Sequence, residues 1–275
     1  MNAKLEKTTE IIKQFYDQGA EYEWTRFERQ PIEFLITKHV LDQYIQPGES
    51  VLDLGGGPGR YALYYAQKSC QVTLVDLADG NIDLAKIKAD EAGLTIEAKA
   101  GNALDADTLL AGRQFDNVLL MGPLYHLLEE EDRARAVRNA LKLLKPGGRI
   151  YVSFLLMFSG MIYYMKYIPN GILDPSDEPF FNAVINDGTY GGSAFTQAYF
   201  IRQGDVLPFM AQFNLEDQHI FGQEGILAQF QPVWMQQSEE VKQGWLNMAY
   251  KLCERPEYLS YSEHVMVHGR KPVEE

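Results

Sequence analysis

Four glycines, Gly55, Gly56, Gly57 and Gly59, fall between a short apolar run and a helix-like stretch in VLDLGGGPGRYAL, residues 51–63. A loop this bare lets a ligand come against the backbone, and the helix N-terminus beyond it favours negative charge. Dinucleotides use GxGxxG, whose third glycine lets the helix pack close to the strand. Here that third position is Arg60, so the spacing departs from the nicotinamide-dinucleotide pattern. Asp53 ends the apolar run and can orient the loop or meet a ligand's amino group through water.

The elements that must position this loop read as strands alternating with helices. Short runs, most rich in Val, Leu or Ile, at 51–54, 72–75, 95–98, 117–121 and 149–154 predict strands. Between them, 60–68, 80–92 closed by Gly93, and 129–145 closed by Pro146-Gly147-Gly148 predict helices. The last carries Ala134, Val137, Leu141 and Leu144 on one stripe, begins with acids and ends with lysines, as the helix dipole prefers. Such alternation argues for an α/β fold, a parallel sheet covered by helices on both faces. Outside it, Ile32, Leu35, Ile36 and Val40 stand at helical spacing in a charged, aromatic N-terminal segment. Residues 155–200 hold ten aromatics in 46 positions against 12% for the chain, which suits either a pocket cover or the packing of an inserted subdomain.

With these elements in place, VLDLGGGPGRYA resembles the first motif of the class I S-adenosylmethionine-dependent methyltransferases. The stretches VTLVDLADGNIDLAK, AKAGNALD, FDNVLLMGPLYHL and LKPGGRIYVSF are similar to the next four motifs, in the family's order, and SEHVMVHGRK looks like its last strand. Within the cofactor domain alone, the likeness is to the quinone-biosynthesis style of enzyme. The resemblance implies a Rossmann-like seven-stranded mixed sheet of order 3-2-1-4-5-7-6. Its last two strands, near 216–221 and 263–269, would form an antiparallel hairpin, and a helix would span 238–253. It implies an N-terminal helical cap (1–46), a cofactor core (47–154), an inserted substrate lid (155–203), and a C-terminal part of the core (204–275) with a helical insertion at about 223–262.

The cofactor implied is S-adenosylmethionine, with S-adenosylhomocysteine as product. Asp76, 23 residues after Asp53, falls where one carboxylate can accept hydrogen bonds from both vicinal ribose hydroxyls. Leu77 would pack on the base. Asn102 stands where the family usually has Asp for the adenine amino group, and its carbonyl can accept the same bond. The Ala103 backbone is a further adenine contact. Gly55 and Gly57 would line the methionine portion, Met121 and Gly122 would flank the sulfonium, and Tyr16, Tyr22 or Arg26 could fold over to meet the ligand's carboxylate. Methyl transfer is an in-line displacement, and a base is needed only when the nucleophile must lose a proton. His126, with Tyr125 beside it at the mouth of the fourth strand, is the candidate base, its ordinary titration range suiting neutral pH.

Composition narrows the partners. With 25 basic and 38 acidic residues the net charge is −13, which repels nucleic acid and anionic membranes and leaves a small-molecule acceptor as the expected partner. Cys70 and Cys253 stand far apart without metal-ligand spacing, so neither a disulfide framework nor zinc is expected. Asp116 begins rather than ends its strand, unlike the acids that hold magnesium in catechol-type members, so no metal is expected. His264 and His268, on one strand face, read as packing or exposed residues. The opening MNAKLEKTTEIIKQF is charged throughout and the longest apolar run carries Lys166, which predicts a cytoplasmic protein without a membrane span. Two other functions fit parts of the pattern: a non-catalytic S-adenosylmethionine or S-adenosylhomocysteine binder, and an NAD-dependent oxidoreductase, against which Arg60 and the KPGG turn both argue. The acceptor and its reacting atom are not encoded in any of these motifs, nor is the oligomeric state.

Overall fold

Along SVLDL successive side chains point to opposite faces of a sheet, and burial shows that both faces are covered. The computed structural model describes residues 3–273. Among these, seven strands form one sheet: β1 (Ser50–Leu54), β2 (Gln71–Asp76), β3 (Glu97–Ala100), β4 (Phe115–Leu120), β5 (Leu144–Leu155), β8 (Glu216–Gly222) and β9 (His264–Arg270). A hairpin of β6 (Tyr190–Ser193) and β7 (Gln197–Phe200) stands apart. The sheet order is β3-β2-β1-β4-β5-β9-β8, with β1 to β5 parallel and β9 antiparallel to both neighbours. Counting sheet strands alone, this is the expected 3-2-1-4-5-7-6.

Leu52, Leu54, Val118, Leu120, Ile150 and Val152 face one core, closed by Ala134, Val137 and Ala140 of the helix Glu130–Lys142. Val51, Leu74, Leu119, Tyr151 and Met266 face the other, closed by Ile82 and Ala85 of Asp79–Ala92 and by Ile32, Ile36 and Val40 of Pro31–Leu41. Each buried Leu or Ile contributes roughly 1.5–3 kcal/mol, so the sheet is the rigid body on which a site can be held. Pro31–Leu41 is therefore part of the main core rather than of a cap. The first helix, Ala3–Trp24, lies across the carboxyl edge of the strands: Asp17 Oδ1 accepts from Gly80 N–H at 2.9 Å, and Lys13 pairs with Asp79 at 2.6 Å.

The structure moves some boundaries. The helix expected to reach 145 ends at Lys142, because Leu144 is fully buried as the start of β5, paired with Phe115. The third strand begins at Glu97 rather than 95; polar outward positions gave it little periodic signal. The aromatic insert makes its own core, in which Phe180 and Phe181 pack with Tyr164 while Phe180 also meets Tyr190 and Phe200. None of its described aromatics lines the cleft at the sheet edge; five of the ten pack this small core, while Phe158, Tyr163, Tyr167 and Phe195 are exposed.

Candidate active site

The cleft opens at the carboxyl ends of β1, β2 and β4, under the first helix. Gly55 is left-handed, at φ +77°, and a Cβ there would stand 2.4 Å from the Pro123 ring; its N–H bonds Val75 C=O at 2.6 Å. A Cβ on Gly122 would strike Gly55 C=O at 2.6 Å, so the ends of β1 and β4 meet as bare backbone. Gly55, Gly56, Gly57, Met121 and Gly122 all line the cleft. Gly59 does not: it is the packing glycine, with Ala85, Leu74 and Leu63 closing on the place of its Cβ. Asp53 is not a lining residue either. It is fully buried beneath Gly56, whose Cβ would collide with its carboxylate at 2.3 Å, and burial raises its carboxyl to about 7.

Asp76 lines the cleft at the end of β2. Its Oδ2 accepts from Gly57 N–H at 2.8 Å, and its Oδ1 from Ala78 N–H and Asn81 Nδ2, each at 3.0 Å. The residue thus ties the glycine loop to the next helix, and its remaining lone pairs face the ligand side. Burial raises its carboxyl above the ordinary value against these three donors. Leu77 and Ala103 line the same end. Asn102 lines it as well: its side-chain oxygen accepts Leu104 N–H at 2.9 Å, which leaves a second lone pair and the amide N–H₂ for a ligand.

The N-terminal candidates separate. Tyr16 and Arg26 line the cleft, whereas Tyr22 is 67% exposed with the Arg29 guanidinium over its ring, and it contributes nothing to the site. Arg26 is bound in a fork to Glu33 and, through Nε, to Glu23 at 3.2 Å, so it meets a ligand carboxylate only in competition with two of the protein's own. His126 is committed on both sides. Its Nδ1 lies 2.9 Å from Gln197 C=O, an acceptor only, so Nδ1 carries the hydrogen and Nε2 accepts from Tyr16 O–H at 2.8 Å. Burial lowers this imidazole to about 4. Held neutral with no free lone pair, His126 latches the first helix to β7 rather than serving as the expected base. Tyr125 lines the cleft beside it.

The wall beyond Tyr125 was missed by sequence reasoning. Glu33, Tyr61, Ser153, Gln223 and His264 line it, and Ser153 Oγ donates to Gln223, whose amide donates to Thr37. His264 opens β9, paired with Leu155, so the antiparallel direction of that strand delivers it to the cofactor edge, where a parallel strand would have placed it at the far end. Topology was the signal that could have found it. Its Nδ1 bonds Glu224 Oε1 at 2.7 Å, while Glu224 Oε2 accepts from Ser262 Oγ and from the N–H groups of Glu263 and His264 at 2.7–3.0 Å. Ligand atoms of Glu33, Glu224 and His264 come within 4.8 Å of one another, yet each is already engaged by Arg26 or by this network, which reads as ion pairing.

Comparison with known proteins agrees with this geometry. Residues 51–148 match the methyltransferase domain family. Over 182 residues the chain is 26% identical to the ubiquinone biosynthesis O-methyltransferase of Stutzerimonas stutzeri, covering 63% of this chain and 75% of that protein. The enzyme of the same name from Dinoroseobacter shibae is 33% identical over 46% of this chain and 52% of its own length, so the chain spans about half of that relative. In fold, the magnesium protoporphyrin IX methyltransferase of Synechocystis PCC 6803, solved with bound S-adenosylhomocysteine, superposes with a TM-score of 0.56 at 15% identity over 96% of this chain and 99% of that one. The cradle of bare backbone at Gly55 and Gly122, the carboxylate of Asp76 and the amide of Asn102 fit S-adenosylmethionine in shape and polarity. Residues 51–148 carry a methyltransferase domain, and the ordered motifs, the sheet order and this cleft are in keeping with the class I S-adenosylmethionine-dependent methyltransferases that they resemble.

Proposed function

We propose that the protein transfers the methyl group of S-adenosylmethionine to a small-molecule acceptor held against the wall that Tyr125 and His264 line. The observation that carries this reading is one continuous cleft. The backbone cradle and Asp76 line one end, and a polar, aromatic wall of Tyr125, Tyr61, Ser153 and His264 lines the other. A sulfonium bound at the ends of β1 and β4 supplies an activated methyl. The protein's own part is to fix the ribose through Asp76, to exclude water under Ala3–Trp24, and to aim the acceptor along the line of displacement. A cleft roofed by a helix suits a small acceptor better than a macromolecular surface, and the charge of −13 weighs against nucleic acid. Among the described residues no helix is long and apolar enough to cross a membrane.

The test is a calorimetric titration with S-adenosylhomocysteine and, in parallel, NAD. Saturable one-to-one binding of the first and none of the second is expected. Binding of NAD alone would restore the oxidoreductase reading. Label from methyl-labelled cofactor should then appear in members of a panel of small hydroxylated and amino acceptors, whereas binding with no transfer to any would favour a non-catalytic binder.

A further inference from the structure

We propose that the His264–Glu224 pair presents an imidazolium N–H to a phenol-class acceptor and holds that acceptor as its phenolate in place for methylation. The inference rests on the methyl-transfer reading above.

Three observations carry it. First, the dyad is built. Glu224 is 7% exposed, and its four hydrogen bonds include two from the backbone beside the imidazole, so the Nδ1–H bond fixes the ring and directs its remaining polar atom, Nε2, to the chemistry. Second, its place fits. β9 lies two strands from β4, about 10 Å at ordinary strand spacing, which is the width of a substituted aromatic ring between the methyl-donor end and the imidazole. Tyr125 lines the same cleft and packs against the imidazole, its ring centroid 5.7 Å from that of His264. Third, the same wall is polar and enclosed: it carries Tyr61, whose buried hydroxyl leans toward Thr37, and Ser153, which donates to Gln223. An imidazolium N–H on such a wall suits an oxygen that carries negative charge.

The charges facing His264 agree. Burial and Arg26 oppose its charged form, Glu224 and Glu33 favour it, and Glu263, the preceding residue, lies 3.8 Å from Lys166. The two carboxylates prevail and raise the imidazole to about 9, so the ring rests protonated, with Nε2–H for a phenolate. In the step, the acceptor O–H gives its proton to solvent on binding and the phenolate oxygen accepts from Nε2–H. The oxygen then bonds the methyl carbon as the carbon–sulfur bond breaks, the sulfur keeping that electron pair, and His264 keeps its proton throughout.

The test uses the full chain saturated with S-adenosylhomocysteine and 4-nitrophenol as probe, whose phenolate is coloured. At equal pH, the bound probe should hold about tenfold more phenolate relative to phenol than the free probe. H264Q should bind S-adenosylhomocysteine as the wild type does and lose that enrichment, and E224Q should reduce it. An unchanged phenolate fraction on binding, enrichment that survives H264Q, or no uptake of the probe by protein that binds S-adenosylhomocysteine would each overturn the proposal. Absence of S-adenosylhomocysteine binding would instead remove the reading beneath it.

Discussion

Asp76 combines two duties, since the carboxylate placed to receive ribose hydroxyls also fastens Gly57, Ala78 and Asn81. Asp76→Ala should therefore weaken S-adenosylhomocysteine binding by about 2–4 kcal/mol, from two lost charge-assisted bonds and a loosened loop. Calorimetry reads this directly, and unchanged affinity would mean that the ribose lies elsewhere. The two cleft histidines diverge in sign. His264 is raised from 6.5 to about 9, so its contribution to stability is present below 6.5 and is lost as pH rises through 9. His126 is lowered to about 4, and its contribution is lost as pH falls from 6.5 toward 4. Thermal midpoints measured from pH 6.5 to 9.5 should fall more steeply for the wild type than for H264Q; parallel curves would show that the Glu224 pair does not hold that proton. At this scale the glycines, Asp76 and Asn102 were legible because local spacing defines a strand–loop–helix ligand site. Gly59 and Tyr22 do not line the cleft, and Asp53 keeps the loop-orienting one of its two expected roles, since side-chain direction depends on packing that spacing does not carry. Glu224 and His264, 40 residues apart, meet only through the register of the last strand.

Among elements, Ala3–Trp24 is the one whose position was least written in the sequence. Its mean hydropathy is near neutral, only Ile12 and Ala20 are buried, and nothing periodic announces that it crosses the sheet edge. What seats it is the start of the helix Asp79–Ala92. A Cβ on Gly80 would lie 2.7 Å from Asp17 C=O, so only glycine lets the two backbones touch. Gly80→Val should lift the first helix without disturbing the sheet. Amide exchange should accelerate across 3–24, S-adenosylhomocysteine affinity should drop about tenfold or more, and protection of β1 and β4 should stay unchanged. Equal protection of 3–24 in the variant would refute this seating. The central strands were readable because burial on both faces demands continuous apolar runs, and Gly93, left-handed at φ +64°, marked a helix end correctly. The β6–β7 hairpin was not, because its Tyr-Gly-Gly-Ser and Gln-Ala-Tyr-Phe strands alternate weakly.

Across the whole molecule, two cores grip one sheet while the functional cleft lies at the sheet's edge, covered in part by a helix that touches the cores only through Leu5 and Trp24. Thr9, Ile12 and Tyr16 line that cleft, so the state that holds the ligand is also the state in which the helix is docked. Ligand binding and helix docking are then linked: whatever free energy the ligand gains from the docked state it must lose if the helix undocks. Saturation with S-adenosylhomocysteine at about 100 times its Kd should raise global stability by about 2.7 kcal/mol. The added exchange protection should be largest in residues 3–24, and smaller in strands already protected at the global limit. Tyr16→Phe removes the hydroxyl that His126 Nε2 accepts, so it should reduce the ligand-induced protection of 3–24 while leaving the apo sheet unchanged. If the ligand instead protected the strands and left 3–24 exchanging as before, the cofactor would sit on the sheet edge alone, and the first helix would be a bystander to methyl transfer.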